Sequence, residues 1–183
     1  MSEKNNDSPG DEFLILVDSE DNILGQETRT RCHLGDGLLH RGFSVYVFDD
    51  SRRLLLQKRS ARKQLWPGYW SNSCCSHPRP EESSEEAAHR RMGEELGLSI
   101  PLRYLFQFQY QEKFADVGSE NEICSVFTGR HQGSITSDRE EIEDWMFVDI
   151  EELDVRLRRD PEIYSPWFRL GWGLIRQSWL DKI

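Results

Sequence analysis

Residues 71–98 read SNSCCSHPRPEESSEEAAHRRMGEELGL, and the reading of this stretch decides what the rest of the chain must support. Its first half sets thiols beside an imidazole in Cys74-Cys75-Ser76-His77-Pro78; its second half is crowded with charge and closes on Glu94-Glu95-Leu96-Gly97. The second half predicts a helix. Ser83 with Glu86 three residues on forms a capping box, Ala88, Met92 and Leu96 recur on one face, and Gly97 supplies a C-cap before Pro101. Taken alone, such a helix is a solvated face whose Arg90–Glu94 and Arg91–Glu95 pairs contribute a few tenths of a kcal/mol each. A soft nucleophile, a metal ligand and hard carboxylates packed so closely point instead to chemistry.

Working outward, Phe13 to Val17 is an apolar run closed by a polar turn at 18–22, which predicts a first strand. Residues 26–42 carry His33 and His40 around Gly35 and Gly37 and read as a loop feeding a strand. Alternation over 43–48, a turn at 49–51 and Leu54-Leu55-Leu56 predict a β-hairpin. The cationic and aromatic segment 57–70 reads as an ordered loop before a short strand at 71–75. Segments 102–110 and 122–128 are β-rich and joined by a polar loop at 112–120, with a further strand at 145–148. Ser165-Pro166 opens a last helix whose apolar stripe is Trp167, Leu170, Gly171, Leu174, Ile175 and Ser178. Trp70 and Tyr104 read as core residues. Strands on both sides of a mid-chain helix, with a closing helix, predict one α+β domain over 13–183 behind a disordered tail at 1–12.

Composition narrows the function classes. A net charge of −10 over 183 residues disfavours nucleic acid and anionic membrane surfaces as partners. No run approaches the roughly 18 apolar residues of a membrane span, and the N-terminus lacks a signal-peptide pattern, so a cytoplasmic protein is expected. The four cysteines (Cys32, Cys74, Cys75, Cys124) are expected as free thiols. One basic patch, Lys58, Arg59, Arg62 and Lys63, stands against the overall charge; Lys58 and Arg62 read as solvated.

Glu82, Arg90, Glu94, Glu95 and Gly97 stand at the spacings of the Nudix box, with two departures: Ser76 replaces its first glycine and Arg91 replaces the Glu of its Arg-Glu pair. Trp66-Pro67-Gly68, Asn72 to Pro78, Glu120-Asn121-Glu122 and Tyr164-Ser165-Pro166-Trp167 occur in order around it. With these motifs, residues 13–180 resemble the type I isopentenyl-diphosphate isomerases, a Nudix branch that moves a double bond rather than cleaving a phosphate.

The resemblance implies a Nudix-like α/β/α sandwich with a mixed sheet and flanking helices. It implies Cys75, Glu122 and Tyr110 as the catalytic groups, and His33, His40, His77, Glu120 and Glu122 as ligands of Mn²⁺, Mg²⁺ or Zn²⁺. If the chain is extended there, residues 120 and 122 face the same side. The diphosphate is implied to lie on Arg29, Arg59, Lys63 and Arg91, with a second Mg²⁺ on the Glu95 side and Trp167 facing a carbocation. His89 and His131 receive no role. The expected partner is a small isoprenoid diphosphate, with no nucleic acid and no membrane, and the expected state is a monomer or weak homodimer. Two other readings remain open at this point: a Nudix pyrophosphohydrolase in which Cys75 is structural, and a non-enzymatic metal-stabilised binding module.

Overall fold

The computed structural model describes residues 11–183, so most of the tail expected at 1–12 lies outside the described residues. Asp11 and Glu12 are tied to the body. Asp11 accepts from Thr30 N at 3.1 Å, and Glu12 bonds Arg79 Nε at 2.9 Å and Arg29 N, through its carbonyl, at 2.7 Å.

A mixed sheet carries the fold, and β3 (His40–Phe48) is its ruler. Along one edge β3 pairs in parallel with β8 (Gly118–Arg130) over its whole length, His40 opposite Glu122 through Phe48 opposite Arg130. The other edge is shared. β1 (Phe13–Val17) meets it at His40, β6 (Cys74–Ser76) at Phe43 to Val45, and β4 (Leu54–Arg59) only at Phe48. The expected hairpin therefore pairs only at its turn and then splays, which lets the Cys74–Ser76 strand enter beside β3. β2 (Ile23–Thr28) lies outside β1, β5 (Trp70–Ser71) and β9 (Ile142–Val148) flank β4, and β7 (Leu102–Phe114) flanks β8.

Helix α2 (Ser84–Leu96) forms as its sequence predicts. Ser83 and Glu86 exchange the two capping-box bonds, and Gly97 sits at φ 65 with its N–H on the Gly93 carbonyl. The face that carries Ala87, Ala88, Met92 and Leu96 packs on Phe43, Val45, Val47, Leu55 and Phe127. Each large apolar side chain buried there contributes about 1.5–3 kcal/mol. The opposite face of β3 offers Tyr46 and Phe48 to α4 (Pro166–Ser178), through Trp167, Phe168, Trp172 and Ile175. The result is a three-layer α/β/α arrangement in which both faces of the central strand are buried.

The structure departs from the sequence reading in five places. Segment 26–42 is no plain loop: β2 runs to Thr28 and a single helical turn, α1 (Arg29–Cys32), follows. The loop expected at 112–120 is mostly strand, because β7 and β8 form one long hairpin turning at 115–117. The buried stripe of α4 is rotated toward Phe168 and Trp172, leaving Leu170 and Leu174 exposed. The aromatic rings bury more area than leucine, and Trp172 Nε1 finds Asp154 at 3.0 Å. Tyr104, expected in the core, is exposed beside a bulge between Tyr104 and Phe106, while Trp70 is partly buried against the α4 side of the core. Finally, α3 (Ile150–Arg159) was not anticipated, since its charged sequence buries only Ile150 and Leu153 well.

Gly171 lets α4 pass over the buried Tyr46 side chain of β3: a Cβ there would lie 2.4 Å from Tyr46 Oη. Gly171→Ala is expected to destabilise the fold by about 1–3 kcal/mol in urea denaturation. Gly173→Ala in the same helix, where a Cβ meets nothing within 4 Å, should be neutral or stabilising by up to about 1 kcal/mol.

Candidate active site

The site grows from three short segments that β3 holds together. α1 places His33, whose Nδ1 bonds the Arg29 carbonyl at 2.8 Å, and His33's own carbonyl accepts from Ser119 N on β8 at 2.9 Å. Gly118 permits that approach, since a Cβ there would stand 2.4 Å from the His33 carbonyl oxygen. His40 opens β3 with Nδ1 on the Leu38 carbonyl at 2.7 Å. His77 follows β6. With their Nδ1 atoms on backbone carbonyls, His33 and His40 turn Nε2 inward, the arrangement that orients metal-ligating histidines.

The three rings pack with centroids 4.9–5.2 Å apart, all buried. Glu120 and Glu122, two apart on an extended strand, both reach them, as their spacing predicts. Glu120 Oε2 lies 2.8 Å from His33 Nε2 and 3.8 and 3.9 Å from His40 and His77 Nε2. Glu122 Oε1 lies 2.8 Å from His77 Nε2 and 3.8 Å from His40 Nε2. Ligand atoms of His33, His40, His77 and Glu120 all fall within 4.8 Å of one another.

Two features show that this set fits a divalent ion. Neighbouring ligands at about 2.0–2.2 Å from one ion stand about 3 Å apart, close to the shorter spacings seen. Moreover, His40 Nε2 and His77 Nε2 are buried with no hydrogen-bond partner, an arrangement that proteins avoid unless something else engages those atoms. His77 Nε2 touches Glu122 Oε1 without the geometry of a hydrogen bond. Burial, with His77 and His33 adding to it, pushes the His40 imidazole down to about 3, leaving it neutral as a ligand must be. Burial opposes ionisation of Glu120, but His33 and His77 hold it well below the usual carboxylate range. For His77 burial acts downward and the two carboxylates outweigh it. The mixed imidazole and carboxylate donors suit Mn²⁺, Zn²⁺ or Mg²⁺.

Glu122 also belongs to a second group. Its Oε2 accepts the Tyr110 hydroxyl at 2.8 Å from across the β7–β8 pair. Its carboxylate occupies the space that a side chain at Gly42 would fill, for a Cβ there would come within 2.4 Å of it. Cys75 stands opposite Ser44 on the other edge of β3. Its thiol is pushed up to about 11 by burial, against the pull of Arg59, whose Nη1 lies 3.8 Å from Sγ. Trp167 is fixed by a buried chain of hydroxyls, its Nε1 donating to Ser71 Oγ at 3.0 Å, which meets Ser165 Oγ at 2.8 Å. Its ring already carries a cation, Arg59 Cζ at 5.0 Å from the centroid.

Arg59 is locked by the carbonyls of Leu65 and Trp66 at 2.8 and 3.0 Å, at a bulge between Lys58 and Arg59 where β4 meets β9. Arg91 bonds Glu95 Oε1 at 2.6 Å and Glu141 Oε1 at 3.0 Å, and Lys63 pairs with Glu141. Burial raises the Glu95 carboxyl against Arg91 and Lys63. Burial would likewise raise Glu141, yet Lys63 and Arg91 hold it down at about 2. Both helix pairs expected from the sequence, Arg90–Glu94 and Arg91–Glu95, are present, and Arg90 additionally clamps Glu82 with two bonds of 2.8 Å.

Cys75, Tyr110, Glu120, Glu122, His77, Arg29, Arg59, Lys63, Arg91 and Trp167 line one cavity of roughly 170 Å³. His33, His40 and Glu95 are buried beside it rather than in its wall. Four wall residues were missed from sequence: Glu12, Ser44, Ser76 and Glu141. Glu141 sits in the acidic run Glu140-Glu141-Ile142-Glu143-Asp144, where nothing local sets it apart. His89 and His131 lie outside the site, and all four cysteines are free thiols. Among the described residues no helix is long and apolar enough to cross a membrane.

Comparison with known proteins identifies the family and the fold. A family model described as NUDIX domain matches residues 38–170. The chain is 39% identical over 174 residues to isopentenyl-diphosphate Delta-isomerase 1 of Photorhabdus laumondii, covering 94% of this chain and 99% of that protein. It is 46% identical over 154 residues to isopentenyl-diphosphate Delta-isomerase 2 of Aromatoleum aromaticum, covering 84% and 81%. Among solved structures, DR0079 from Deinococcus radiodurans superposes with a TM-score of 0.70 at 21% identity over 92% of this chain and 99% of that one. That likeness speaks for the fold alone, whereas the sequence matches are close and nearly full-length. The chain belongs to the NUDIX domain family and, within it, to the isopentenyl-diphosphate Delta-isomerases.

Proposed function

We propose that this protein interconverts isopentenyl and dimethylallyl diphosphate, adding a proton at C4 and removing one at C2 through a tertiary carbocation. The observation that carries the proposal is the double membership of Glu122. It touches the histidine cluster through Oε1, receives the Tyr110 hydroxyl through Oε2, and lines the cavity that Cys75 also lines.

An alkene is a poor base, so the site must present a positioned acid, a second group to collect the departing proton, and walls that exclude water. Cys75 and Glu122 are the two proton-transfer groups, exchanging roles between the two directions. Tyr110 orients the Glu122 carboxyl and fixes which oxygen faces the cavity. A divalent ion held by His33, His40, His77, Glu120 and Glu122 supplies positive charge that lowers the proton affinity of Glu122. Trp167 faces the developing cation, and an aromatic face can stabilise a desolvated cation by about 2 kcal/mol. Arg29, Arg59, Lys63 and Arg91 hold the diphosphate, with Mg²⁺ on the Glu95 side. The protein acts in the cytoplasm on this small molecule, as a monomer or weak homodimer, without nucleic acid or membrane.

The pyrophosphohydrolase reading is disfavoured by Arg91. Where the hydrolase box supplies a carboxylate, this chain supplies a guanidinium that engages Glu94 and Glu95. A passive binding module has no use for a Tyr110-bonded carboxylate beside a half-buried thiol.

Incubating the protein with isopentenyl diphosphate and Mg²⁺ in D₂O, followed by NMR, should yield dimethylallyl diphosphate carrying deuterium and no free phosphate; phosphate release or an unchanged spectrum contradicts the proposal. Glu122→Gln should lower kcat by about 10²–10⁴, the usual range for a lost proton-transfer group, and by far more than Glu95→Gln. Equal losses would mean that the acid is misplaced. Gly42→Ala pushes on the Glu122 carboxylate and should weaken Mn²⁺ binding by about 10–100-fold in calorimetry while circular dichroism stays native.

A further inference from the structure

Glu141 is a carboxylate in the cavity wall that the reaction leaves unused, and, unlike Glu12, which pairs outward with Arg79, it occupies the cations that a diphosphate needs. Its position is not casual. The Glu141 carbonyl accepts from Ser60 N at 3.0 Å, its own N–H bonds the Asp138 carbonyl at 3.1 Å, and the next residue, Ile142, is fully buried and pairs with Arg59 at the start of β9. The backbone is therefore anchored on both sides, and only the side chain is free to move.

Each oxygen of that side chain engages a different cation. Oε2 takes Lys63 Nζ, and Oε1 takes Arg91 Nη2 at 3.0 Å. Two oxygens of one phosphate would bind Lys63 and Arg91 in the same way. The same Arg91 Nη2 also meets Glu95 Oε1 at 2.6 Å, so one guanidinium nitrogen bridges two carboxylates.

Charge makes the consequence specific. Arg59, Lys63 and Arg91 bring three positive charges to this end of the cavity, and Glu95 and Glu141 bring two negative ones, a formal balance of +1. Arg29 and Glu12 at the wall add one of each sign and leave it unchanged. A diphosphate ester carries about three negative charges near neutral pH, so alone it must displace Glu141 and then sit close to it. With a divalent cation it arrives at about −1, and the displaced carboxylate faces a compensated charge.

We propose that Glu141 is a charge gate: it stands in for a phosphate on Lys63 and Arg91 and makes the cavity favour a diphosphate that arrives with a divalent cation over one that arrives without it. The proposal rests on reading this cavity as the diphosphate site. Glu141 needs no contact with the reacting carbons and acts on what binds, so its signature is in metal-free binding rather than in kcat.

The test is calorimetric titration of inorganic pyrophosphate into wild type, Glu141→Gln and Glu140→Gln, once with excess Mg²⁺ and once with EDTA. Glu140 is the control, because it removes the same charge one residue away, on an exposed side chain paired with Arg62. In EDTA, Glu141→Gln should bind pyrophosphate about tenfold more tightly than wild type, a modest effect for one charge removed beside a partly buried anion site. Glu140→Gln should match wild type, and with Mg²⁺ all three should agree within about threefold. Glu141→Gln binding metal-free pyrophosphate no better than wild type overturns the gate, as does an equal gain in Glu140→Gln. If wild type fails to bind pyrophosphate even with Mg²⁺, the diphosphate reading of the cavity falls, and the gate with it.

Discussion

The pairing of β3 with β8 on one edge and β6 on the other is the constraint on which everything else depends. It sets His40 opposite Glu122 and Ser44 opposite Cys75, so that the groups proposed to bind metal and to transfer protons are measured off one strand. A slip of one residue in either register would turn the whole set to the other face, onto the apolar bed of α2. The two helices hold the register by burying opposite faces of β3, and glycine supplies the clearances: Gly42 for the Glu122 carboxylate, Gly118 for the His33 carbonyl, Gly171 for Tyr46.

Placing two carboxylates and three imidazoles in a buried cluster costs free energy unless a cation compensates them. The orphaned Nε2 atoms of His40 and His77 are the visible sign of that cost. The same logic governs the far end of the cavity, where Arg91 and Lys63 are each matched to a carboxylate. At this far end the fixed charges are nearly balanced without any added ion, so on the proposed reading the substrate and its metal exchange into existing pairs.

Legibility in the sequence followed locality. The capping box at Ser83, the Gly97 cap and the spacing of Glu82, Arg90 and Glu95 were readable because a helix fixes its own geometry. The paired reach of Glu120 and Glu122 was readable once the segment was taken as strand, although the loop expected at 112–120 turned out to be hairpin. No spacing could bring His33, His40 and His77 together, since the contacts depend on β3 pairing with strands about 30 and 80 residues away; the family resemblance supplied that grouping. Glu141 was illegible because its neighbours are equally acidic and only the turn before β9 singles it out. The stripe of α4 was misassigned because leucine spacing fitted a helix face equally well, and tertiary packing chose the aromatic face.

The most direct measurement of the central claim, that one ion on the β3-organised cluster is shared with the proton-transfer carboxylate, is anomalous diffraction from crystals soaked in Mn²⁺. The account predicts a single strong peak bounded by His33, His40 and His77 Nε2 and by Glu120 and Glu122 oxygens, each at about 2.0–2.3 Å. A peak only on the Glu95 side, or histidine density with no ion at saturating Mn²⁺, would contradict it.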